Sequence, residues 1–306
     1  MSQFSRKAWA GVAAVILAGG AAAAATAAAS FPGRNGKIVF ASTRTGSNQL
    51  WTMDARGRKP VRVTRGNAGD DSSPSVSRDG RSIVFERLSR RSHSREIHVV
   101  AISGGKVRRL TRNSVDDAAP SWSPDGKRIV FRSDRDGDPE IYVMRRNGGE
   151  LRQLTFNDLV ADDDPEFSPD GKRIAFLSRR TGNSEIFVMN ADGSGQVQLT
   201  NDPAIDALPT WSPNGRRIAF ESRRGGSSDI WTMKADGTDL KQLTKGGAEE
   251  RFPAFSPNGR SIVFERRNTA AGRPAIWTMR TNGSGRRRLT NLRSSNGTPD
   301  WQVRKR

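Results

Sequence analysis

The sequence of 306 residues contains no cysteine, only two histidines and a single tyrosine. Without thiols there are no disulfides, no cysteine nucleophile and no thiolate metal site. His93 and His98 are too few for a histidine-rich metal centre, and no G-x-S-x-G, H-E-x-x-H or P-loop pattern occurs. The sequence therefore lacks the usual signatures of serine hydrolases, zinc peptidases and nucleotide-dependent enzymes.

Long apolar runs are absent except at the N-terminus. Arg6 and Lys7 precede an alanine-dominated run that ends in three alanines before Ser30. This order is typical of a secretory signal peptide. We predict that residues 1–29 are cleaved and that the protein is exported, to the periplasm, the cell surface or the medium, with no transmembrane span after cleavage. An uncleaved anchor is the alternative, because the run is about long enough to cross a bilayer.

Acidic residues are in the minority: 32 Asp and Glu face 51 Lys and Arg, and the formal net charge is +19. A basic surface attracts polyanions. For an exported protein these would be anionic lipid or an acidic envelope polymer, so we predict no nucleic-acid partner. The arginines are spread through every repeat, and solubility alone would also account for them.

An internal repeat is the strongest signal in the sequence. PSWSPDGKRIVF begins at Pro120, and close copies begin at Pro165, Pro209 and Pro253, with a degenerate copy at Pro74. The repeat phenylalanines are 44 to 46 residues apart, at Phe40, Phe85, Phe131, Phe176, Phe220 and Phe264. That period matches a four-stranded propeller blade.

Each copy is consistent with four short strands. A Ser-Pro-Asp-Gly or Ser-Pro-Asn-Gly turn follows the first strand, and a Gly hairpin such as Asn147-Gly148 follows the third. The second strand alternates apolar and polar residues, which indicates one buried face. His98 occupies the aromatic position that Tyr142 and Trp231 hold in other copies, so we interpret it as a packing residue.

The two ends of the chain complete one repeat. Gly36 to Phe40 is already a second strand, whereas Pro299-Asp300-Trp301 resembles a first strand. We predict an all-β, six-bladed β-propeller over residues 30–306, with blade one closed by the C-terminal strand. The predicted blades are approximately 31–64 plus 297–303, 73–111, 119–155, 164–200, 208–244 and 252–290.

The repeated S-P-D-G-K-R-I-A-F, E-I-F-V-M-N-A-D-G-S and Q-L-T segments resemble the WD-like repeat of the TolB family. The resemblance covers about residues 31–302. It implies an envelope-located propeller that holds segments of partner proteins at its central opening. TolB also has an N-terminal α/β domain, for which we expect no counterpart because the repeats begin almost at the cleavage site.

One polar position recurs three residues before each repeat proline. Because the first strand of a propeller blade lines the axis, we predict a ring of side chains at the channel mouth, formed by Asp71, Asp117, Asp162, Asp206, Glu250 and Asn296. Such a ring would suit a basic peptide or Ca²⁺, which prefers carboxylate oxygens. Alternatively the carboxylates pair with arginines of neighbouring blades that lie four residues after the repeat phenylalanine, at Arg44, Arg135, Arg180 and Arg224.

These observations predict a monomeric, non-catalytic binding module for a protein segment or an envelope polymer at the channel-mouth face. No catalytic residue and no cofactor is assigned, apart from the Ca²⁺ considered for the ring. The alternative is a carbohydrate-active lyase or hydrolase that uses the same carboxylates as acid and base.

Overall fold

The computed structural model describes residues 31–66 and 68–304, so the predicted signal peptide lies outside the described residues. All regular structure in this part of the chain is β-strand, arranged in six four-stranded antiparallel sheets. The prediction of a six-bladed β-propeller is confirmed. No helix among the described residues is long and apolar enough to cross a membrane.

The blades are numbered in chain order, with the innermost strand of each given first. Blade 1 consists of β24 (Asn296–Arg304), β1 (Arg34–Thr45), β2 (Ser47–Met53) and β3 (Val61–Arg62). Blade 2 consists of β4 (Gly69–Val76), β5 (Ser82–Ser89), β6 (Arg95–Ala101) and β7 (Arg108–Arg109). Blade 3 consists of β8 (Asp117–Trp122), β9 (Arg128–Ser133), β10 (Glu140–Arg145) and β11 (Arg152–Gln153). Blade 4 consists of β12 (Asp162–Phe167), β13 (Arg173–Ser178), β14 (Glu185–Asn190) and β15 (Val197–Gln198). Blade 5 consists of β16 (Asp206–Trp211), β17 (Arg217–Ser222), β18 (Asp229–Lys234) and β19 (Lys241–Gln242). Blade 6 consists of β20 (Glu249–Phe255), β21 (Ser261–Arg267), β22 (Ala275–Arg280) and β23 (Arg287–Arg288).

The hydrophobic core lies between neighbouring blades. One buried cluster contains Val130 and Ile141 of blade 3 together with Phe167 and Phe176 of blade 4, and equivalent clusters recur around the ring. All six repeat phenylalanines are fully buried. Because each blade supplies one apolar face to each neighbour, no blade can bury its core alone, and the ring must close.

The C-terminal strand closes the ring as predicted. β24 pairs antiparallel with β1, with Trp301 opposite Ile38. Asp300 of the same strand accepts a 2.7 Å hydrogen bond from the backbone N–H of Val76 in blade 2. One terminal strand therefore completes blade 1 and also contacts the next blade.

Deletion of residues 296–306 should open the ring. The loss exposes the apolar faces of blades 1 and 6 and leaves β1 without its inner partner, so we expect the melting temperature to fall by at least about 10 °C. Thermal unfolding followed by circular dichroism checks this, with a deletion of 305–306 as the control. An unchanged melting temperature in the longer deletion would contradict closure by β24.

Candidate functional site at the channel mouth

The six residues predicted to form the ring all lie at or near the start of an innermost strand, on one face of the propeller, hereafter the mouth face. Their side chains are not open to solvent. Asn296 is 1% exposed and the five carboxylates are 0% exposed. The five ring carboxylates are therefore not free at the mouth, and the proposed binding of a ligand or Ca²⁺ by this ring stays a prediction.

Every ring residue pairs with an arginine, and the arginine belongs to its own blade. The expectation of neighbouring-blade partners is corrected here. Arg224 pairs with Asp206, and the other pairs are Arg87 Nε–Asp71 Oδ1 at 2.5 Å, Arg135 Nη2–Asp117 Oδ1 at 2.9 Å, Arg180 Nη2–Asp162 Oδ2 at 2.7 Å, Arg266 Nη1–Glu250 Oε1 at 3.0 Å, and Arg44 Nη2–Asn296 Oδ1 at 3.1 Å. First and second strands are neighbours in one sheet, which brings these groups together.

Two of the six arginines, Arg87 and Arg266, were not predicted, because the sequence analysis considered only arginines four residues after the repeat phenylalanine. They lie two residues after the repeat phenylalanine rather than four, because Asp71 and Glu250 stand directly opposite them in the strand register. In the other four blades a serine holds that opposite position, as Ser133 does for Asp117, and the arginine follows two residues later. The signal available in the sequence was this exchange of serine for arginine.

Each of these guanidinium groups also lies over the aromatic side chains of its blade. The Cζ of Arg135 is 4.8 Å from the Tyr142 ring centroid, and that of Arg224 is 5.0 Å from the Trp231 centroid. A cation over an aromatic face is attracted by the ring quadrupole. Aromatic pair, guanidinium and carboxylate thus form one repeated structural unit. His98 takes the aromatic place in blade 2, stacked on Phe85 at 5.6 Å, as the sequence predicted.

A threonine and an asparagine follow the outer strand at the same level. The hydroxyl of Thr155, at the end of the outer strand of blade 3, accepts the Ile141 N–H at 2.9 Å and donates to Glu140. Asn157 then donates from Nδ2 to Asp162 of blade 4 at 2.7 Å. The threonine–isoleucine or threonine–leucine contact recurs in all six blades. The Leu-Thr signature therefore braces the third strand of its own blade, and the link to the next blade is made by the asparagine two residues later, Asn113 with Asp117 and Asn157 with Asp162.

Three of these junctions bring two carboxyl groups close together. Burial raises the pKa of Glu140 to about 7, and the nearby charge of Asp162 adds to the effect. Burial likewise raises the pKa of Asp206 to about 6 and that of Glu250 to about 7, with Glu185 and Asp229 as the neighbouring carboxylates. In blade 1 the position of Glu140 is held by Gln49, and in blade 6 by Ala275.

The channel wall itself is formed by six residues, one from each blade, at a repeat position that the sequence pattern did not single out. The residue directly before each repeat proline has a positive φ between 47° and 55°, at Ser73, Ala119, Asp164, Leu208, Phe252 and Thr298. The strand register shifts at the same places, which marks a bulge in every innermost strand. Bulges of this kind re-aim side chains. Leu208 and Phe252, from adjacent blades, pack against each other.

Asp164 faces the axis of the propeller. Burial raises its pKa well above the usual value, and the carboxylates of Asp163, Glu221 and Glu86 raise it further. Those last two groups belong to blades 5 and 2, on opposite sides of Asp164, so the axial channel is the space that the three share. The residue is 6% exposed, and its Oδ1 has no hydrogen-bond partner among the described residues.

The mouth holds a cavity of about 310 Å³ beside blades 6 and 1. Arg251, Phe252, Glu265 and Arg267 line it together with Thr298. Burial raises the pKa of Glu265 to about 7. The cavity therefore offers guanidinium groups, a carboxyl group and an aromatic side chain within one opening.

A separate acidic group lies in the hairpin of blade 3. One oxygen from each of Asp136, Asp138 and Glu140 lies within 4.8 Å of the others. All three already accept hydrogen bonds, from Gln153, Val160 and Asn157 respectively. This cluster has the residue types of a cation site, and its present contacts are those of a braced hairpin.

The ring ion pairs should respond unequally to loss of either partner. Arg180→Leu leaves the buried Asp162 without its cation, and we expect it to lower the free energy of unfolding by about 3 kcal/mol. Asp162→Asn leaves only the partly exposed Arg180, and it reproduces the Asn296–Arg44 contact already present in blade 1, so we expect a loss below about 1 kcal/mol. Urea unfolding measures both values, and equal losses would contradict this account.

The buried carboxyl groups where blades meet, Glu140, Asp206 and Glu250, should make the free energy of unfolding fall as the pH rises. Their folded-state pKa values exceed the unfolded ones, so the folded state binds more protons, and stability declines between about pH 4.5 and pH 7. Burial lowers the pKa of His98 to about 4, which acts in the opposite direction. We expect the melting temperature of the double variant E140Q/E250Q to change less with pH than that of the wild type. His98 is present in both proteins and contributes equally to each. Melting temperatures from pH 4.5 to 7.5 test this, and identical slopes would refute it.

Comparisons with known proteins agree with this geometry. The model of the TolB beta propeller domain matches residues 87–164 and 161–301. TolB from Acinetobacter baumannii superimposes with a TM-score of 0.77 at 25% identity, over 88% of this chain and 67% of that one. No curated protein sequence matches the chain.

Two more distant structures share the fold alone. A chain of a nidogen/laminin complex has a TM-score of 0.70 at 13% identity, over 87% of this chain and 98% of that one. Kuenenia stuttgartiensis hydrazine synthase has a TM-score of 0.73 at 15% identity, over 89% and 47%. The fold therefore occurs in an enzyme as well as in a complex between proteins, and by itself it does not select a function. The family-model match spans most of the sequence, and the chain belongs to the TolB beta propeller domain family.

Proposed function

We propose that the protein is an exported, non-catalytic binding module that holds a segment of a partner protein against the mouth face. The observation that carries this proposal is a group of exposed apolar side chains on that face. Leu159 is 94% exposed, Phe156 is 74% exposed and Ile205 is 41% exposed. They lie in the connections between blades 3 and 4 and between blades 4 and 5. Apolar side chains this exposed are typical of an interaction surface when they are grouped and rimmed by polar residues.

The channel opens on the same face and supplies polar contacts. Asp164 Oδ1 has no hydrogen-bond partner in the part of the chain that the structure describes, and the mouth cavity presents Arg251, Arg267 and Glu265. An extended segment that places apolar side chains on Phe156 and Leu159 would also place a hydrogen-bond donor or a cationic side chain at Asp164. Such a contact would remove the cost of leaving this buried oxygen unsatisfied.

Export rests on the sequence of residues 1–29, and membership of the TolB family is in keeping with a place in the cell envelope. An envelope polymer is the second ligand class for the mouth face. The exposed apolar side chains favour a protein segment over a polymer of sugars and charges. For the carbohydrate-active alternative, the ring carboxylates would have to reach a substrate, whereas each is buried against an arginine.

A displayed random-peptide library selected on the immobilised full chain tests the proposal. We expect selected peptides to bind the wild type and to lose at least about ten-fold in affinity to the variant F156S/L159S, since each removes a large apolar contact. The matched control is L151S/V197S, which removes two exposed apolar side chains away from the mouth and should leave the affinity within about two-fold. Fluorescence anisotropy gives both values.

Two outcomes would contradict the proposal. One is that no sequence is enriched by selection on the wild type. The other is that enriched peptides bind F156S/L159S as tightly as the control variant.

A further inference from the structure

The face opposite the mouth, hereafter the lower face, is formed by the turns after the first strands and the hairpins after the third strands. It contains a cavity of about 620 Å³ between residues 32–34 and the turns of blades 2 and 3. Four arginines line this cavity: Arg34, Arg78, Arg146 and Arg304. All four are exposed, and none forms a salt bridge with a carboxylate of the described residues.

The two carboxylates at the cavity are already used by their own turns. Asp79 Oδ1 accepts hydrogen bonds from Ser77 Oγ at 2.6 Å and from the Arg81 N–H at 3.0 Å. Asp125 Oδ1 accepts from Ser123 Oγ at 2.5 Å and from the Lys127 N–H at 3.0 Å. They brace the Ser-x-Asp-Gly turns, and within residues 31–66 and 68–304 neither of them pairs with a guanidinium group of the cavity. A planar guanidinium pairs bidentately with phosphate oxygens.

Basic residues continue across the lower face of blades 6, 1 and 2. The exposed ones are Lys37, Arg56, Arg58, Lys59, Arg81, Lys106, Arg260, Arg280 and Arg287. Among the described residues in the turns and hairpins of these three blades, only Asp54 and Asp79 are acidic, and Asp54 is paired with Arg58 at 3.0 Å. The corresponding turns and hairpins of blades 4 and 5 are more balanced, since they carry four carboxylates: Asp170, Asp192, Asp236 and Asp239.

We propose that the lower face of blades 6, 1 and 2, together with the adjoining hairpin of blade 3 that carries Arg146, docks on an anionic phospholipid bilayer, with one phosphate head group seated among the four arginines of the cavity. The charge is spread over the tips of turns and hairpins of three successive blades, which present a broad face rather than a groove. A bilayer surface is broad in the same way, and each lysine or arginine near it adds to the attraction. Docking in this manner leaves the mouth face pointing away from the membrane.

This second surface is independent of the mouth. Residues at the cavity and residues at Phe156 and Leu159 lie on opposite faces of the propeller, so either surface can be altered without the other. A protein that binds lipid with one face and a protein segment with the opposite face would hold its partner at a fixed distance from the bilayer.

Vesicle flotation with the full chain tests the proposal. We expect binding to vesicles of phosphatidylcholine mixed with phosphatidylglycerol, little binding to phosphatidylcholine alone, and weakening with added salt. The variant R78E/R146E should bind the anionic vesicles at least about ten-fold more weakly than the wild type. The control R216E/K234E makes the same charge change on the lower face of blade 5 and should stay within about three-fold. F156S/L159S should float like the wild type.

Three results would overturn the proposal. They are equal binding to neutral and anionic vesicles, equal weakening by the two charge-reversal variants, or binding of soluble polyphosphate to the arginine cavity without any binding of vesicles. The last result would assign the cavity to a soluble anion. Circular dichroism melting curves confirm that each variant remains folded before it is compared.

Discussion

The buried contact between the carboxylate of an innermost strand and the guanidinium of its own blade is the constraint on which this propeller depends. A carboxylate at 0% exposure is tolerated only with a partner, and the arginine that supplies it lies over the aromatic pair of the same blade. This unit fixes the mouth end of five sheets, and the Arg44–Asn296 contact takes its place in blade 1. The threonine after the outer strand braces the third strand of the same blade, and Asn113 and Asn157 connect their blades to the ring carboxylate of the next one.

The same constraint separates the charges of the molecule. Carboxylates are concentrated at the mouth ends of the strands, where arginines neutralise them, and the excess of basic residues remains on the outer surface and the lower face. The net charge of +19 is therefore distributed unevenly over the surface of the protein. The mouth combines apolar side chains with a buried acidic channel, whereas the lower face of blades 6, 1 and 2 is almost free of carboxylates among the described residues. One propeller thus presents two faces of different chemistry.

The channel wall shows why similar repeats can still give an asymmetric site. All six residues before the repeat proline adopt the same positive φ, yet they range from Ser73 and Ala119 to Asp164 and Phe252. The backbone is repeated and the side chains are not. A ligand at the mouth would therefore meet the apolar side chains of Leu208 and Phe252 as well as the carboxyl group of Asp164.

The sequence alone determined the number of blades, the four strands of each and the closure by Trp301, because the period of the repeat, its turn residues and its alternation are local properties. It also located the ring residues, since they recur at a fixed distance from a proline. Tertiary structure decided what these residues do: whether Asp162 faces solvent or Arg180, and whether Arg87 can serve where Arg135 does, depends on strand register and burial. The bulge that turns Asp164 toward the axis and the gathering of Arg34 with Arg78, Arg146 and Arg304 were likewise decided by the fold, because those residues are far apart in the chain and meet only when the ring closes.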